Sequence, residues 1–176
     1  MYFFTLENAY IQQDANDILQ HTAMSALNIL LVDDNPNLVT TLSHGLRKAM
    51  GNAISVAVSF SGSEALSMLA SHRFDVVISE FNMPGESGLE LLEKIRHDHG
   101  ETIQVLVTTY GTDALEEEVH RLGIGYVTKP FEPSHLVQII RGEGTKAETE
   151  NAPRIVIPDP KGNADLGRLM GNVLTD

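Results

Sequence analysis

The chain has 176 residues, with 24 Asp and Glu side chains against 12 Lys and Arg, for a formal net charge of −12. Its 42% hydrophobic and 20% charged composition suits one folded domain with tails and excludes wholesale disorder. The acidity argues against nucleic acid and anionic membranes as direct partners, since both call for a basic patch. The lack of cysteine excludes disulfides, thiolate zinc sites and cysteine nucleophiles.

Residues 1–27 read as an N-terminal extension with three acidic and no basic side chains. Ile11, Ile18 and Leu19 allow a short helix there without specifying one. Met1 to Glu7 lack the basic region and apolar run of a secretory signal. Nowhere do 18 apolar residues run together, so no membrane span is predicted and a cytoplasmic location is expected.

Residues 28–141 alternate between strand and helix patterns. Asn28-Ile-Leu-Leu-Val-Asp33 is an apolar run too short for a helix and predicts a fully buried strand. Pro36 suits the first turn of a helix, and Leu38, Leu42, Leu46 and Met50 form its apolar stripe before Gly51 ends it. Ile54–Ser59 alternates and predicts a half-exposed or edge strand. Ser61 is placed to cap a second helix, with Ala65, Leu66 and Leu69 inward.

The pattern then repeats. Asp75–Glu80 predicts a buried strand, and the Met83-Pro84-Gly85 turn leads to a helix carrying Leu89, Leu92 and Ile95. Ile103–Thr108 predicts the next strand. Gly111-Thr-Asp113 opens a helix with Leu115, Val119 and Leu122. Gly125–Lys129 is a short last strand, and Pro133 opens a helix with Leu136, Ile139 and Ile140. Five strands alternating with five helices predict an α/β fold, a flavodoxin-like doubly wound parallel sheet in the order 2-1-3-4-5 with helices on both faces.

Residues 142–176 read as a linker and C-terminal tail. Gly142–Glu150 is polar, Arg154-Ile-Val-Ile157 suits a lone strand or a docking segment, and Asp165–Leu174 carries a weak helical pattern. At about 35 residues the tail is too short for a separate domain without metal or disulfides. A DNA-binding output domain does not fit in it.

Ligands of an open parallel sheet sit at the carboxyl ends of its strands. Those ends carry Asp33 and Asp34, Glu80, Thr108 and Lys129. An Asp-Asp pair after a strand by itself also serves as helix capping, but all five residues in register define a site. Clustered carboxylates repel unless a cation intervenes, and hard oxygens suit Mg²⁺. Lys129 is a point charge for a phosphate or a partner for a carboxylate. No Gly-rich phosphate loop follows the first strand, which excludes the nucleotide-binding version of the fold.

Four segments carry a definite resemblance: Ile29-Leu-Leu-Val-Asp-Asp34, Phe81-Asn-Met-Pro-Gly85 with Gly88-Leu-Glu-Leu-Leu92, Thr108-Thr-Tyr-Gly111, and Tyr126-Val-Thr-Lys-Pro-Phe131. In this order and spacing the chain resembles the receiver domain of two-component response regulators over about residues 28–141. The resemblance implies a Mg²⁺ site at Asp33, Asp34, the acceptor position and the backbone carbonyl of Asn82. It implies phosphoryl contacts at Thr108 and Lys129, a rotamer switch at Tyr126 and a cis Lys129–Pro130 peptide. It also implies a histidine kinase as phosphoryl donor and protein partners on the face of the fourth helix, fifth strand and fifth helix; a homodimer stays open.

The departure is at the acceptor, where the family has Asp and this chain has Glu80. One extra methylene moves the carboxylate outward by about 1.5 Å, and a misplacement of about 1 Å costs on the order of 100-fold in rate. Asp75 lies at the opposite end of the strand and cannot substitute. The expectation is an atypical receiver, not an enzyme, that signals through protein contacts independently of Asp phosphorylation. The alternatives are phosphorylation on Glu80 itself and a Mg²⁺-dependent phosphotransfer or phosphatase enzyme. At Thr109 the family favours a small residue, and the bulkier side chain either restricts entry to the pocket or has no effect. The seven histidines and the Glu116-Glu117-Glu118 run read as solvated surface.

Overall fold

Short apolar runs flanked by helical stripes become the strands of one sheet. The computed structural model describes residues 26–142 and 155–156. Its strands are β1 (Leu27–Val32), β2 (Ile54–Ser59), β3 (Val76–Glu80), β4 (Ile103–Thr108), β5 (Gly125–Thr128) and β6 (Ile155–Val156). The helices are α1 (Pro36–Met50), α2 (Gly62–Leu69), α3 (Gly88–Asp98), α4 (Asp113–Arg121) and α5 (Pro133–Ile140). The strand order is β2-β1-β3-β4-β5-β6, with β1 to β5 parallel as the alternating pattern predicts.

The pleat of β1 divides the core in two. Leu27, Ile29 and Leu31 join Val39, Leu42, Leu46 and Met50 of α1 and Leu136, Ile139 and Ile140 of α5 on one face. Leu30 and Val32 join Ala65 and Leu69 of α2, Leu91, Leu92 and Ile95 of α3 and Val119 of α4 on the other. All five residues of β3 and all six of β4 are buried, because a central parallel strand is covered on both sides. β2 is the partly exposed edge that its alternating sequence predicts.

Helix starts are set by short polar side chains, which accept from the otherwise unsatisfied first N–H groups. Asn35, Ser61, Ser87 and Thr112 do this for α1 to α4. At Gly51 the chain turns with φ of +57°, which favours glycine, and a 3₁₀ turn (Gly51–Ala53) leads into β2.

Two details differ from the sequence reading. Strands β1, β3 and β5 each shift or shorten by one residue, so Asp33, Asp75 and Lys129 lie just outside them. The segment read as a lone strand or a docking segment is not a lone strand but docks on the sheet. Ile155 and Val156 pair antiparallel with Val127 and Tyr126 and add a sixth strand beyond β5. The extension helix at residues 11–19, the linker at 143–150 and the helical pattern at 165–174 lie outside the described residues.

Candidate functional site

In-register pairing brings the strand ends together. Val32 lies beside Ser79, Glu80 beside Val107, and Thr108 beside Thr128. Asp33, Glu80, Thr108 and Lys129 therefore share the carboxyl edge of the sheet, as their placement in the sequence predicts.

Asp33 is 6% exposed and both of its oxygens are engaged. Oδ1 accepts the Asn35 N–H at 2.8 Å and Oδ2 accepts from the Lys129 ammonium at 3.3 Å. Glu80, 7% exposed, is also doubly held. Its Oε1 accepts the Asn82 N–H at 3.2 Å, and its Oε2 takes a short charge-assisted bond from Lys129 Nζ. The ammonium thus sits between two nearly buried carboxylates. Each would be costly without a counter-charge.

The remaining residues fall into place around this bridge. The Lys129–Pro130 peptide is cis, as the family pattern implies, and the Lys129 N–H donates to the Thr108 carbonyl at 2.8 Å. Thr108 is fully buried, and its hydroxyl turns to the following loop, where it accepts the Tyr110 N–H at 3.1 Å. Asp34, Asn82 and Thr109 are exposed. Asp75 is at the far end of the sheet, where it accepts the Asn28 N–H at 2.6 Å.

Tyr126 points inward and is fully buried in the α2–α3–α4 core. Gly111 closes over it: a Cβ there would fall 2.5 Å from the tyrosine oxygen and 2.7 Å from the Thr128 methyl carbon. The loop after β4 can pass this close only as glycine.

Among the described residues, no group of three or more His, Asp or Glu side chains gathers closely enough to hold a metal ion. The expected trio of Asp33, Asp34 and Glu80 does not close as a cluster, since Lys129 bridges two members and the third is exposed. The donor set itself still suits Mg²⁺, which commonly uses one or two carboxylates with water completing its shell.

The sequence reading overlooked how the acceptor strand is anchored. Ser87 and Glu90 form a reciprocal capping box at the start of α3, and the S-x-x-E spacing was there to be read. This box pulls the Glu90 carboxyl below its usual range through the Ser87 N–H and hydroxyl. It also seats Gly88 directly on the Glu80 carbonyl, where any Cβ would collide with backbone. The Gly88 N–H donates to the Phe81 carbonyl at 2.8 Å, which pins the helix to the end of β3.

A family model described as the response regulator receiver domain matches residues 29–141. The DNA-binding response regulator MtrA of Mycolicibacterium smegmatis is 34% identical over 134 residues, covering 74% of this chain and 56% of MtrA. The chemotaxis response regulator CheY4 of Vibrio cholerae superposes with a TM-score of 0.59 at 30% identity, covering 66% of this chain and 98% of that structure. DrrB, a Thermotoga maritima OmpR/PhoB homologue, gives a TM-score of 0.58 at 27% identity, covering 66% of this chain and 51% of its own. The chain spans a little over half the length of the MtrA relative.

Proposed function

Because this chain belongs to the response regulator receiver family of two-component signalling, we propose that it relays its signal through protein contacts without forming a phosphoaspartate. The observation that carries this reading is the Lys129 bridge. The family's acceptor position holds Glu80, and its carboxylate already takes the ammonium that an incoming phosphoryl group would need. In-line phosphoryl transfer depends on positioning and on free positive charge, and this arrangement offers neither.

In this reading Glu80 does constitutively what a phosphoryl group does transiently: it presents negative charge to Lys129. Thr108 and Tyr126 are the residues through which that charge reaches the α4–β5–α5 face, where protein partners dock. Thr108 bonds the loop that leads to α4, and Tyr126 lies on β5 beneath Gly111 of that loop. Asp33, Asp34, Glu80 and the Asn82 carbonyl would hold Mg²⁺, which would supply positive charge to the clustered carboxylates. The function is that of a signalling module rather than an enzyme. MtrA is named as DNA-binding, but residues 28–141 here carry 15 acidic against 8 basic side chains, a balance suited to protein surfaces and not to phosphates. No described helix is long and apolar enough to cross a membrane.

A small-molecule phosphodonor with Mg²⁺, followed by intact-mass measurement, tests the proposal. The unmodified mass is expected. A stable phosphoryl adduct that disappears in Glu80→Gln overturns it.

A further inference from the structure

The edge strand of a sheet exposes a row of N–H and C=O groups that invites any passing strand. Here the β5 edge is covered from within. Val127 lies opposite Ile155 and Tyr126 opposite Val156, in antiparallel register. Ile155 is partly buried and packs against the core that α1 and α5 share with β5. Twelve residues separate Gly142 from Ile155, a reach of at most about 40 Å, ample for a chain leaving α5 to return beside β5. The covering strand is short for a chemical reason. Pro153 and Pro158 bracket it in the sequence, and proline has no N–H to extend a ladder.

We infer that Ile155–Val156 is a detachable intramolecular strand that occupies a strand-addition site on β5. A partner that adds an extended, β-branched segment to this edge must first displace the chain's own. Because the strand pairs with Tyr126 itself, its docking also ties the C-terminal segment to the residue buried beneath the β4–α4 loop. Strand addition takes its affinity from main-chain hydrogen bonds and its selectivity from alternate side chains. The site therefore fits a short apolar β segment rather than a helix or a charged loop. The inference rests on the reading above in one respect only, that partners meet the β5 side of the domain.

Ile155→Asp in the full chain tests it, with Ile155→Ala as a milder companion should the charged variant lose its fold. The Asp variant is expected to speed amide exchange at least tenfold at whichever of Tyr126 and Val127 donates toward the added strand, while leaving its neighbour, which donates toward β4, and the β1 and β3 amides unchanged. A synthetic peptide of residues 152–159 is expected to bind that variant at least tenfold more tightly than the wild-type chain and to restore slow exchange. Unchanged exchange at both Tyr126 and Val127, or equal peptide binding by both proteins, overturns the inference. A wild-type dimer that Ile155→Asp converts to monomer also overturns it, because the strand would then come from a second copy. These readouts concern the strand alone, so they are independent of the phosphodonor test above.

Discussion

Replacing Lys129 by Met keeps most of the aliphatic stem and removes the charge that separates Asp33 from Glu80. The two carboxylates are 6% and 7% exposed, and the lysine side chain is 20% exposed. At 3.3 Å from Asp33, and with an effective dielectric constant of about 20, each lysine–carboxylate attraction is worth roughly 5 kcal/mol before desolvation. Removing one partner of such a buried arrangement costs about 3–5 kcal/mol. The partial exposure of Lys129 places this case at the lower end, about 3 kcal/mol. For a domain of this size that is a fall of roughly 10–15 °C in melting temperature.

A double-mutant cycle with Glu80→Gln isolates the electrostatic part. Glu80→Gln alone is expected to cost about 1–2 kcal/mol, since Lys129 keeps Asp33 as a partner. In the Lys129→Met background the same change is expected to cost nothing or to stabilise, because it removes one of two uncompensated charges. The expected coupling is about 2 kcal/mol, near the middle of the range for contacting pairs. Thermal and urea unfolding of the four proteins supply the numbers. Mg²⁺ is expected to stabilise Lys129→Met more than the wild-type chain, since a divalent ion can take the place left by the ammonium. Additivity within about 0.5 kcal/mol, together with an equal Mg²⁺ response in both backgrounds, would refute the bridge as the organiser of this site.

Three further outcomes are expected. Glu80→Asp retracts the carboxylate by about 1.5 Å and frees Lys129, so adduct formation from a small-molecule phosphodonor with Mg²⁺ should rise about 100-fold, read by intact mass. Gly88→Ala drives a Cβ into the Glu80 carbonyl and the Ser79 hydroxyl; backbone cannot yield cheaply, and a loss of about 2–4 kcal/mol is expected in a thermal melt. Glu90, whose carboxyl Ser87 holds below its usual range, stabilises the fold above its unfolded-state value and loses that contribution as pH falls through its folded value. Glu90→Gln should therefore flatten the fall in stability as pH drops below the ordinary glutamate range, measured by melting across a series of acidic buffers.

The lesson for reading such chains lies in which residues were legible. Leu38, Leu42 and Leu46 announce α1 by spacing alone, and Asn28–Asp33 announces a buried strand, because burial on a helix or in a central strand imposes its own period. The capping box at Ser87 and Glu90 was legible and overlooked. Gly88 and Gly111 carry no such local signal. Their necessity comes from the Glu80 carbonyl and the Tyr126 side chain, neither adjacent in the chain.

The identities at the strand ends, the substitution of Glu for the acceptor Asp, and the acidic balance are properties of the sequence by itself. Register then follows almost of necessity, since slipping a strand by one residue would turn its core side chains to the wrong face. What only the tertiary structure decided is where charge meets charge. Lys129 lies 49 residues from Glu80 and 96 from Asp33, so no local pattern could say that one ammonium serves both, or that Thr108 turns to Tyr110 instead. The same holds for Ile155 on β5. A two-residue apolar segment between prolines specifies no partner, and only an open sheet edge within reach gives it one.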